Sequence, residues 1–279
     1  MGYHNRQYWT GLHASSAGRL TSVGYPEMGE GFNEQTYALR LAAARRILAR
    51  NWSTRPEGLL EAAVGVGAYA PLWSEMGINR WTGVDISREA VGHLVRTFPE
   101  HCFVALDLAD PADPGWTRVA AGGPYDLVSA IDVLYHLTVD SDFEIALGIL
   151  ARQVKAGGRL LVSDVFPEAT VDVAEHVRRR PLESYLSVLK PLGFEVRARE
   201  PIFAILGDPV RRPGFHLRDS GLWLTWRILS KGIRVLPPRL RDLIGALAAR
   251  CLTPVDTGLR RLGWSRGINL EFVVFELKA

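Results

Sequence analysis

The residues best suited to chemistry are a glycine-rich turn and a carboxylate that follows it after about 20 residues. An apolar run, 59–64, carries Glu61 and leads into Gly65 and Gly67. Glycine lets the backbone approach a ligand closely, and a helix after such a turn offers free N–H groups. A second apolar run ends at Asp85, whose carboxylate could accept hydrogen bonds from ribose hydroxyls. This pattern predicts the first half of a nucleotide-binding β-α-β unit.

The turn alone does not identify the nucleotide. Gly65, Gly67 and Ala70 also fit the dinucleotide pattern G-x-G-x-x-[GA], so a nicotinamide oxidoreductase that binds NAD(P) is an open alternative, as is a turn without a ligand. Three features favour another cofactor. More than 55 residues precede the turn, acids (Glu61, Asp85 and Asp107) accompany the first three predicted strands, and the last two predicted strands form a terminal hairpin.

The elements that must position these residues alternate between strand and helix from residue 59 onward, which predicts an α/β fold. The predicted strands are 59–64, 81–86, 102–106, 125–131, 159–165, 194–199 and 270–277. Asn33 is the predicted N-cap of a helix that ends near residue 51, and Ser87 caps a later one. Ser141 and Glu144 form a capping-box pattern for a further helix. Residues 1–32, rich in glycine and aromatics, are predicted to form a lid or an irregular arm.

Composition and segment boundaries suggest one large α/β domain with additions. The 279 residues are 47% hydrophobic, and the two cysteines lie far apart, which favours a reducing, cytoplasmic compartment. The predicted segments are an N-terminal arm and helix (1–52), a nucleotide-binding core (53–200), a basic helical insertion (201–268) and a last core strand (269–279). Within residues 201–267, twelve Lys/Arg oppose four Asp, a formal charge of +8. We find no secretory signal and no apolar stretch of membrane-spanning length.

Five segments, in order, resemble motifs of the class I S-adenosylmethionine-dependent methyltransferases. They are Glu61-Ala-Ala-Val-Gly65-Val-Gly67, Gly-Val-Asp85-Ile86-Ser, Leu106-Asp107-Leu108, Tyr125-Asp-Leu-Val-Ser-Ala-Ile-Asp132-Val-Leu-Tyr135-His136-Leu137, and Gly157-Gly158-Arg-Leu-Leu-Val-Ser-Asp164. The resemblance covers about residues 34–200 and 268–279. It implies a seven-stranded Rossmann-like methyltransferase sheet with a terminal antiparallel hairpin, an N-terminal helical lid and a helical insertion before the last strand. One departure is Ala63, which stands where the family has its first glycine and predicts a reshaped turn.

The resemblance also implies a cofactor, S-adenosyl-L-methionine, with S-adenosyl-L-homocysteine as its product, and a role for each motif residue. Gly65 and Gly67, with Ala63 beside them, would line the methionine moiety. Glu61 would orient the turn and meet the amino group through water. Asp85 would bind the ribose hydroxyls, and three residues would contact the adenine: Ile86, Asp107 and Leu108. A backbone carbonyl of Ala130 or Ile131 would accept from the cofactor's ammonium group. For Asp85 and Asp107, a capping or turn carboxylate is the structural alternative.

Methyl transfer from a sulfonium requires positioning of the acceptor and removal of one proton. His136 is the first candidate for a general base because imidazole titrates near neutral pH; the alternative is a structural histidine. His13 and His216 are rival bases. Asp164 either contacts substrate or caps the next segment. No residues have metal-ligand spacing, so no metal is predicted.

The acceptor is predicted to be a small or lipophilic molecule, with O-methylation of a natural-product-type hydroxyl or carboxylate favoured and N- or C-methylation open. The aromatic residues predicted to contact it are Tyr25, Phe32, Tyr135, Trp223 and Trp226. The basic insertion either guides an anionic acceptor, lies on an anionic membrane surface, or is a solvated helical face. A nucleic-acid substrate is disfavoured, since the known adenine- and cytosine-methylation motifs are absent from the sequence. A non-catalytic S-adenosylmethionine-binding scaffold and a homo-oligomer formed through the aromatic arm stay open.

Overall fold

The computed structural model describes residues 5–15, 18–52, 55–211 and 216–278, with the backbone alone for residues 13–15. Its helices are α1 (Asn5–Ser15), α2 (Glu30–Asn51), α3 (Ala70–Glu75), α4 (Arg88–Thr97), α5 (Gly115–Gly122), α6 (Asp140–Arg152), α7 (Leu182–Leu189), α8 (Leu217–Arg234) and α9 (Pro238–Arg261). Its strands are β1 (Gly58–Ala62), β2 (Arg80–Asp85), β3 (Cys102–Ala105), β4 (Tyr125–Ala130), β5 (Val154–Asp164), β6 (Val171–Ala174), β7 (Val177–Arg179), β8 (Phe194–Pro201) and β9 (Glu271–Leu277). Short 3-10 helices occupy Leu20–Ser22, Pro26–Met28, Leu134–His136 and Lys190–Leu192.

Seven strands form one sheet in the order β3-β2-β1-β4-β5-β9-β8, and β6 and β7 form a separate antiparallel hairpin. The pairs along β3, β2, β1, β4 and β5 are parallel, whereas β9 runs antiparallel to both β5 and β8. The predicted Rossmann-like α/β sheet with a terminal antiparallel hairpin is therefore confirmed. The order reverses between β1 and β4, the point at which open α/β sheets bind ligands.

The central strands are apolar on both faces because helices cover both. Every residue of β1 is buried. Leu59 belongs to the core cluster that contains Ile47 and Trp73, whereas its neighbour Leu60 packs in the cluster that contains Leu147. Helices α2, α3 and α4 thus cover one face, and α5, α6 and α7 cover the other. Such double coverage explains why β1 reads as a continuous hydrophobic run.

The insertion before β9 forms two long helices, α8 and α9, which confirms the predicted helical insertion. Helix α9 packs against α2, and α8 packs against the short helix Pro26–Met28. The core-facing side of α8 carries Leu222, Trp226 and Ile233. These two helices therefore form a further layer outside α2.

Several local predictions were wrong. Residues 5–15 form helix α1, so the expectation of an irregular arm was wrong there. The alternative expectation, a helical lid, agrees with this helix. Asn33 is not an N-cap, because α2 already begins at Glu30; its buried amide instead bonds the backbones of Tyr25 and Gly29. Ser141 forms no capping box: α6 begins one residue earlier, and the Ser141 hydroxyl contacts Asp142. Helix α5 and the β6–β7 hairpin were not predicted.

Candidate active site

A cleft of about 870 Å³ lies at the carboxyl ends of β1, β2, β3 and β4. The residues that follow these strands line its floor, and Asn5 and Trp9 of α1 line it from the N-terminal segment. The predicted cofactor residues Glu61, Ala63, Gly65, Asp85, Ile86, Asp107, Leu108 and Ile131 all line this cleft. The register of the parallel strands brings them together, because each strand end carries one part of the site.

The glycine-rich turn has an unusual backbone. Gly65 (φ 53°) and Gly67 (φ 73°) lie in the left-handed region, and so does Ala63 (φ 53°). A Cβ on Gly67 would approach Cδ2 of Leu94 to 2.8 Å, so this position also needs glycine for space. Ala63 therefore adopts the conformation of the glycine it replaces and carries the strain of its Cβ.

Asp85 fastens this turn to the start of α4. One carboxylate oxygen accepts a hydrogen bond from the Gly65 N–H at 2.9 Å, and the other accepts from the Ser87 N–H at 2.9 Å. Ser87 in turn caps α4 as predicted, since its side chain accepts from the Ala90 N–H. Asp85 is also part of the cleft lining.

Glu61 is buried at the cleft wall, where its carboxylate accepts a 2.9 Å hydrogen bond from the Trp73 indole. Burial raises the pKa of Glu61 to about 8, against the smaller opposing effect of the indole. The carboxyl group is therefore mostly protonated at neutral pH. A positive charge placed beside it would favour the ionised form.

The end of β3 gives the cleft a half-buried carboxylate and an apolar contact. Asp107 accepts from the Ala109 N–H at 3.0 Å, and its second oxygen lies 3.7 Å from Arg6 of α1. Leu108 is buried beside it. The turn role considered for Asp107 is thus present, and the side chain is still part of the cleft lining.

Asp132 follows β4 and is the second non-glycine residue with a positive φ among the described residues, at 54°. Its carboxylate accepts from the Ser163 hydroxyl at 2.7 Å and from Nε of the buried Arg40 at 3.0 Å. Ala130 is fully buried in β4, just before Ile131. Arg40 was not singled out in the sequence.

His136 lines the cleft and is held by a backbone contact. Its Nδ1 lies 2.7 Å from the carbonyl oxygen of His176, in the turn of the β6–β7 hairpin. Since a carbonyl can only accept, Nδ1 carries the proton and Nε2 of the neutral ring is an acceptor. Burial lowers the pKa of His136 to about 3, so the ring is neutral across the physiological range.

Helix α1 closes over this histidine. The Trp9 ring packs edge-on against His136 with 4.6 Å between centroids, and Tyr8 stacks on His176 at 4.8 Å. Trp9 and His176 were not singled out in the sequence. The signal for Trp9 was the unexplained aromatic density near the N-terminus, whereas nothing local marks His176.

The other predicted substrate and base residues lie elsewhere. Tyr25, Phe32 and Trp226 pack on one another, with centroids 5.0–6.1 Å apart, and are not part of the cleft lining. Trp223 packs between the guanidinium groups of Arg211 and Arg227. His216 is exposed at the start of α8, and the side chain of His13 lies outside the described residues.

Behind the cleft, Tyr135 and Asp164 belong to a buried network around Arg179 of β7. The guanidinium of Arg179 lies 3.5 Å from the centroid of the Tyr135 ring and 2.7 Å from Asp164. Asp164 also accepts from the Tyr185 hydroxyl and the Val165 N–H, and burial raises its pKa to about 6. This network attaches the β6–β7 hairpin to the end of β5.

The charge of the cleft distinguishes between the two cofactors considered. Four carboxyl groups line it, those of Glu61, Asp85, Asp107 and Asp132, and no lysine or arginine is among the described residues of its lining. A pyrophosphate would meet several acidic side chains and no lysine or arginine among these lining residues. A ligand with a sulfonium and an ammonium group fits the same wall, because a positive charge near Glu61 would favour the ionised form of its carboxyl group.

Across the described ranges, no three His, Cys, Asp or Glu side chains come together in a way that could hold a metal ion. The helices of the same ranges also lack one with the length and apolarity needed to cross a bilayer.

Solved structures share this fold at low sequence identity. An O-methyltransferase from a trans-AT PKS multienzyme of Brevibacillus brevis, in complex with S-adenosyl-L-homocysteine, has a TM-score of 0.53 at 12% identity over 85% of this chain and 72% of its own. The magnesium protoporphyrin IX methyltransferase of Synechocystis PCC 6803, with bound S-adenosylmethionine, has a TM-score of 0.50 at 17% identity over 71% and 90%. The [4+2]-cyclase SpnF has a TM-score of 0.51 at 16% identity over 86% and 82%.

At the sequence level, a search of curated proteins finds no match to this chain. A family model described as a methyltransferase domain matches residues 33–199, which is more than half of the chain. The match spans the glycine turn, all four cleft carboxylates and His136, and it decides against the nicotinamide oxidoreductase. The chain therefore belongs to the methyltransferase-domain family, within the class I S-adenosylmethionine-dependent methyltransferases.

Proposed function

We propose that this chain transfers a methyl group to an oxygen atom of a small or lipophilic acceptor, with His136 as the group that receives the acceptor's proton. The observation that carries the proposal is the tautomer of His136. Because the His176 carbonyl holds the proton on Nδ1, the unprotonated Nε2 is an acceptor in a cleft-lining ring.

A pKa of about 3 makes His136 a weak base, yet it suits this reaction. A hydroxyl oxygen becomes strongly acidic only as it gains the methyl group, so a neutral imidazole can accept its proton at that stage. The low pKa also keeps the imidazole unprotonated beside a cationic cofactor. An amine acceptor, by contrast, must lose its proton before it attacks, for which a base with a pKa near 7 is better suited.

The cleft residues would hold S-adenosylmethionine by its parts. Asp85 would bind the ribose hydroxyls, and Ile86, Asp107 and Leu108 would surround the adenine. The ammonium would lie near Glu61 and the carbonyl of Ala130 or Ile131. When bound, the cofactor supplies an electrophilic methyl group on a sulfonium. The four acidic side chains of the lining, with no lysine or arginine among its described residues, support this arrangement.

The cover that α1 provides over the cleft supports a small acceptor. Trp9 covers the cleft above His136. The acceptor would therefore enter either when α1 moves away or through an opening beside α1. None of the described basic residues of the insertion is part of the lining, which argues against a direct role for these residues in holding an anionic acceptor or a nucleic acid.

Two further parts of this proposal are the division of the chain into four segments at residues 52, 200 and 268 and a cytoplasmic site of action.

The aromatic cluster of Tyr25, Phe32 and Trp226 would act on the acceptor indirectly. It would support the segment that contains Val23, which lines the cleft. Tyr135 positions Arg179 behind His136.

The test is product analysis by mass spectrometry with a panel of phenols, carboxylic acids and amines. We expect a gain of one CH2 unit on hydroxyl acceptors, whose proton His136 receives; a carboxylic acid is already ionised at neutral pH and needs no such base. His136→Gln should lower kcat at least about tenfold while it leaves S-adenosylmethionine affinity within about twofold, since general-base catalysis is worth about 10²–10⁴. His101→Gln, in a ring outside the cleft lining, is the matched control and should leave kcat unchanged.

Two results would overturn the proposal. Methylation confined to amines, with His136→Gln active, would assign N-transfer without this base. Cofactor binding without product from any acceptor would favour the non-catalytic scaffold.

A further inference from the structure

Helix α8 carries a second apolar stripe that faces away from the protein. Leu217, Leu224, Ile228 and Val235 follow one another at intervals of seven, four and seven residues, which places them on one side of the helix. Their side chains are 79%, 53%, 65% and 80% exposed. The core-facing residues Leu222, Trp226 and Ile233 occupy the opposite side. The helix is thus apolar on two sides, only one of which is covered.

Helix α9 repeats this arrangement. Its outward stripe is formed by Leu240, Leu243, Ile244, Leu247, Cys251, Val255 and, just past its end, Leu262, all exposed. The inward side carries Gly245, Ala249 and Asp256, all buried. Gly245 lies so close to Met28 that a Cβ on Gly245 would approach the Met28 carbonyl oxygen to 2.7 Å. This close approach shows that the Gly245 side of α9 faces the core.

Most of the exposed large apolar side chains of the described residues are in this layer. Eleven of the seventeen lie between Leu217 and Trp264. Monomeric soluble proteins rarely expose so concentrated an apolar surface unless it binds something.

The charges between the stripes have one sign. The exposed ionic side chains of residues 216–268 are Arg227, Lys231, Arg234, Arg239, Arg250, Arg261 and Arg266. The three acids of this segment are otherwise engaged. Asp219 and Asp256 are buried beside arginines, and Asp242 accepts from the Glu30 N–H at the start of α2.

We propose that the outer face of α8 and α9 docks on the surface of an anionic lipid bilayer. Leucine and isoleucine side chains would enter the boundary between headgroups and acyl chains, while the arginines and Lys231 contact lipid phosphates, as interfacial amphipathic helices do. A second copy of this chain fits the face less well. A two-fold contact would place the seven exposed cationic side chains of one copy against the same seven of the other, and like charges repel. The cleft residues take no part in this surface, so the inference is independent of the proposed chemistry.

The test is co-sedimentation of the full chain with vesicles of phosphatidylcholine alone or with about 30 mol% phosphatidylserine. Binding is expected to be at least about tenfold stronger to the anionic vesicles and to be lost at about 0.5 M NaCl. The double variant Ile228→Glu/Leu247→Glu should lower binding at least about tenfold. Val95→Glu, at an exposed apolar residue of α4, is the matched control and should bind as the parent does.

Exposed Cys251 gives a second readout that does not depend on sedimentation. In a Cys102→Ser background, an environment-sensitive fluorophore on Cys251 should shift to the blue with anionic vesicles and not with neutral ones. Thermal unfolding of each variant checks that the substitutions leave the fold intact, as surface changes usually do.

Three results would overturn the inference. They are equal binding of neutral vesicles, unchanged binding by the double variant, or no vesicle binding together with a dimer in analytical ultracentrifugation that Ile228→Glu dissociates. The last result would assign the face to self-association.

Discussion

Replacement of Ala63 by glycine tests whether the turn beneath the cleft is strained. Ala63 has a φ of 53°, a conformation in which its Cβ crowds the following carbonyl oxygen. Its neighbour Ala62, at the end of β1, is buried and has no such conformation. The same Ala→Gly change at these adjacent positions should therefore have opposite effects on the free energy of unfolding.

The magnitudes follow from three contributions. Release of the left-handed strain at Ala63 stabilises by about 1–2 kcal/mol. Glycine loses about 0.5–1 kcal/mol more than alanine in conformational entropy on folding. The half-buried methyl group of Ala63 contributes about 0.4 kcal/mol, half of what a buried one does. Ala63→Gly should thus stabilise by about 0.4 kcal/mol, whereas Ala62→Gly, with no strain to release and a buried methyl lost, should destabilise by about 1.5 kcal/mol.

Urea unfolding of both variants beside the parent measures this difference of about 2 kcal/mol, well above the error of a midpoint comparison at constant m. S-adenosylmethionine affinity should change less than about twofold for Ala63→Gly, since only a methyl group at the cleft wall is removed. If Ala63→Gly destabilises as much as Ala62→Gly, the turn is not strained and the argument from its dihedral angle fails.

Further predictions concern charge and the lid. Burial raises the pKa of Glu61 in the folded state from its ordinary value of 4.5 to about 8. The stability that comes from this shift is therefore fully present below pH 4.5 and is lost as the pH rises toward 8. In a series of unfolding midpoints measured at different pH values, Glu61→Gln should reduce the fall in midpoint over that range. Cofactor binding at pH 7 should release a proton in calorimetry across buffers of different ionisation enthalpy, and Glu61→Gln should abolish the release. Asp132→Asn should destabilise by about 3 kcal/mol because Arg40 is left buried without its partner, and Arg40→Met in the same chain should recover most of that loss in urea unfolding. Trp9→Ala should speed S-adenosylmethionine dissociation in stopped flow with less than about 1 kcal/mol lost in stability; an unchanged off-rate would show that α1 is not a lid.

The sequence predicted the parts of the molecule that depend on short-range pattern. The runs that became β1 and β2 were evident from apolar composition, and Gly65 and Asp85 from their spacing. The resemblance to the methyltransferase motifs named Glu61, Asp85 and Asp107 as cofactor residues, and the parallel strands bring these three to one cleft. Asp132, which lines the same cleft, was not among the predicted cofactor residues.

What could not be predicted depends on long-range contacts. His136 is neutral because it is buried, and the carbonyl of His176, 40 residues away, keeps the proton of the neutral ring on Nδ1. Arg40 was not singled out in the sequence, because its partner Asp132 lies 92 residues further along the chain. The capping-box pattern at Ser141 failed because α6 already begins at Asp140, with Val139 as its N-cap. Phe32 and Trp226 were predicted to contact the acceptor, whereas they pack on each other and are not part of the cleft lining.

The central claim is that this cleft, which has four acidic side chains and no lysine or arginine among its described lining residues, binds S-adenosylmethionine. Isothermal titration calorimetry of the purified chain with S-adenosylmethionine, and separately with NAD⁺ and NADP⁺, tests it directly. We predict binding of S-adenosylmethionine alone and a loss of at least about tenfold in affinity for Asp85→Asn, because a carboxylate–hydroxyl bond is worth about 1.5–3 kcal/mol. Asp110→Asn, at an exposed turn outside the cleft, is the control. Binding of either nicotinamide cofactor, or unchanged affinity in Asp85→Asn, would contradict the account.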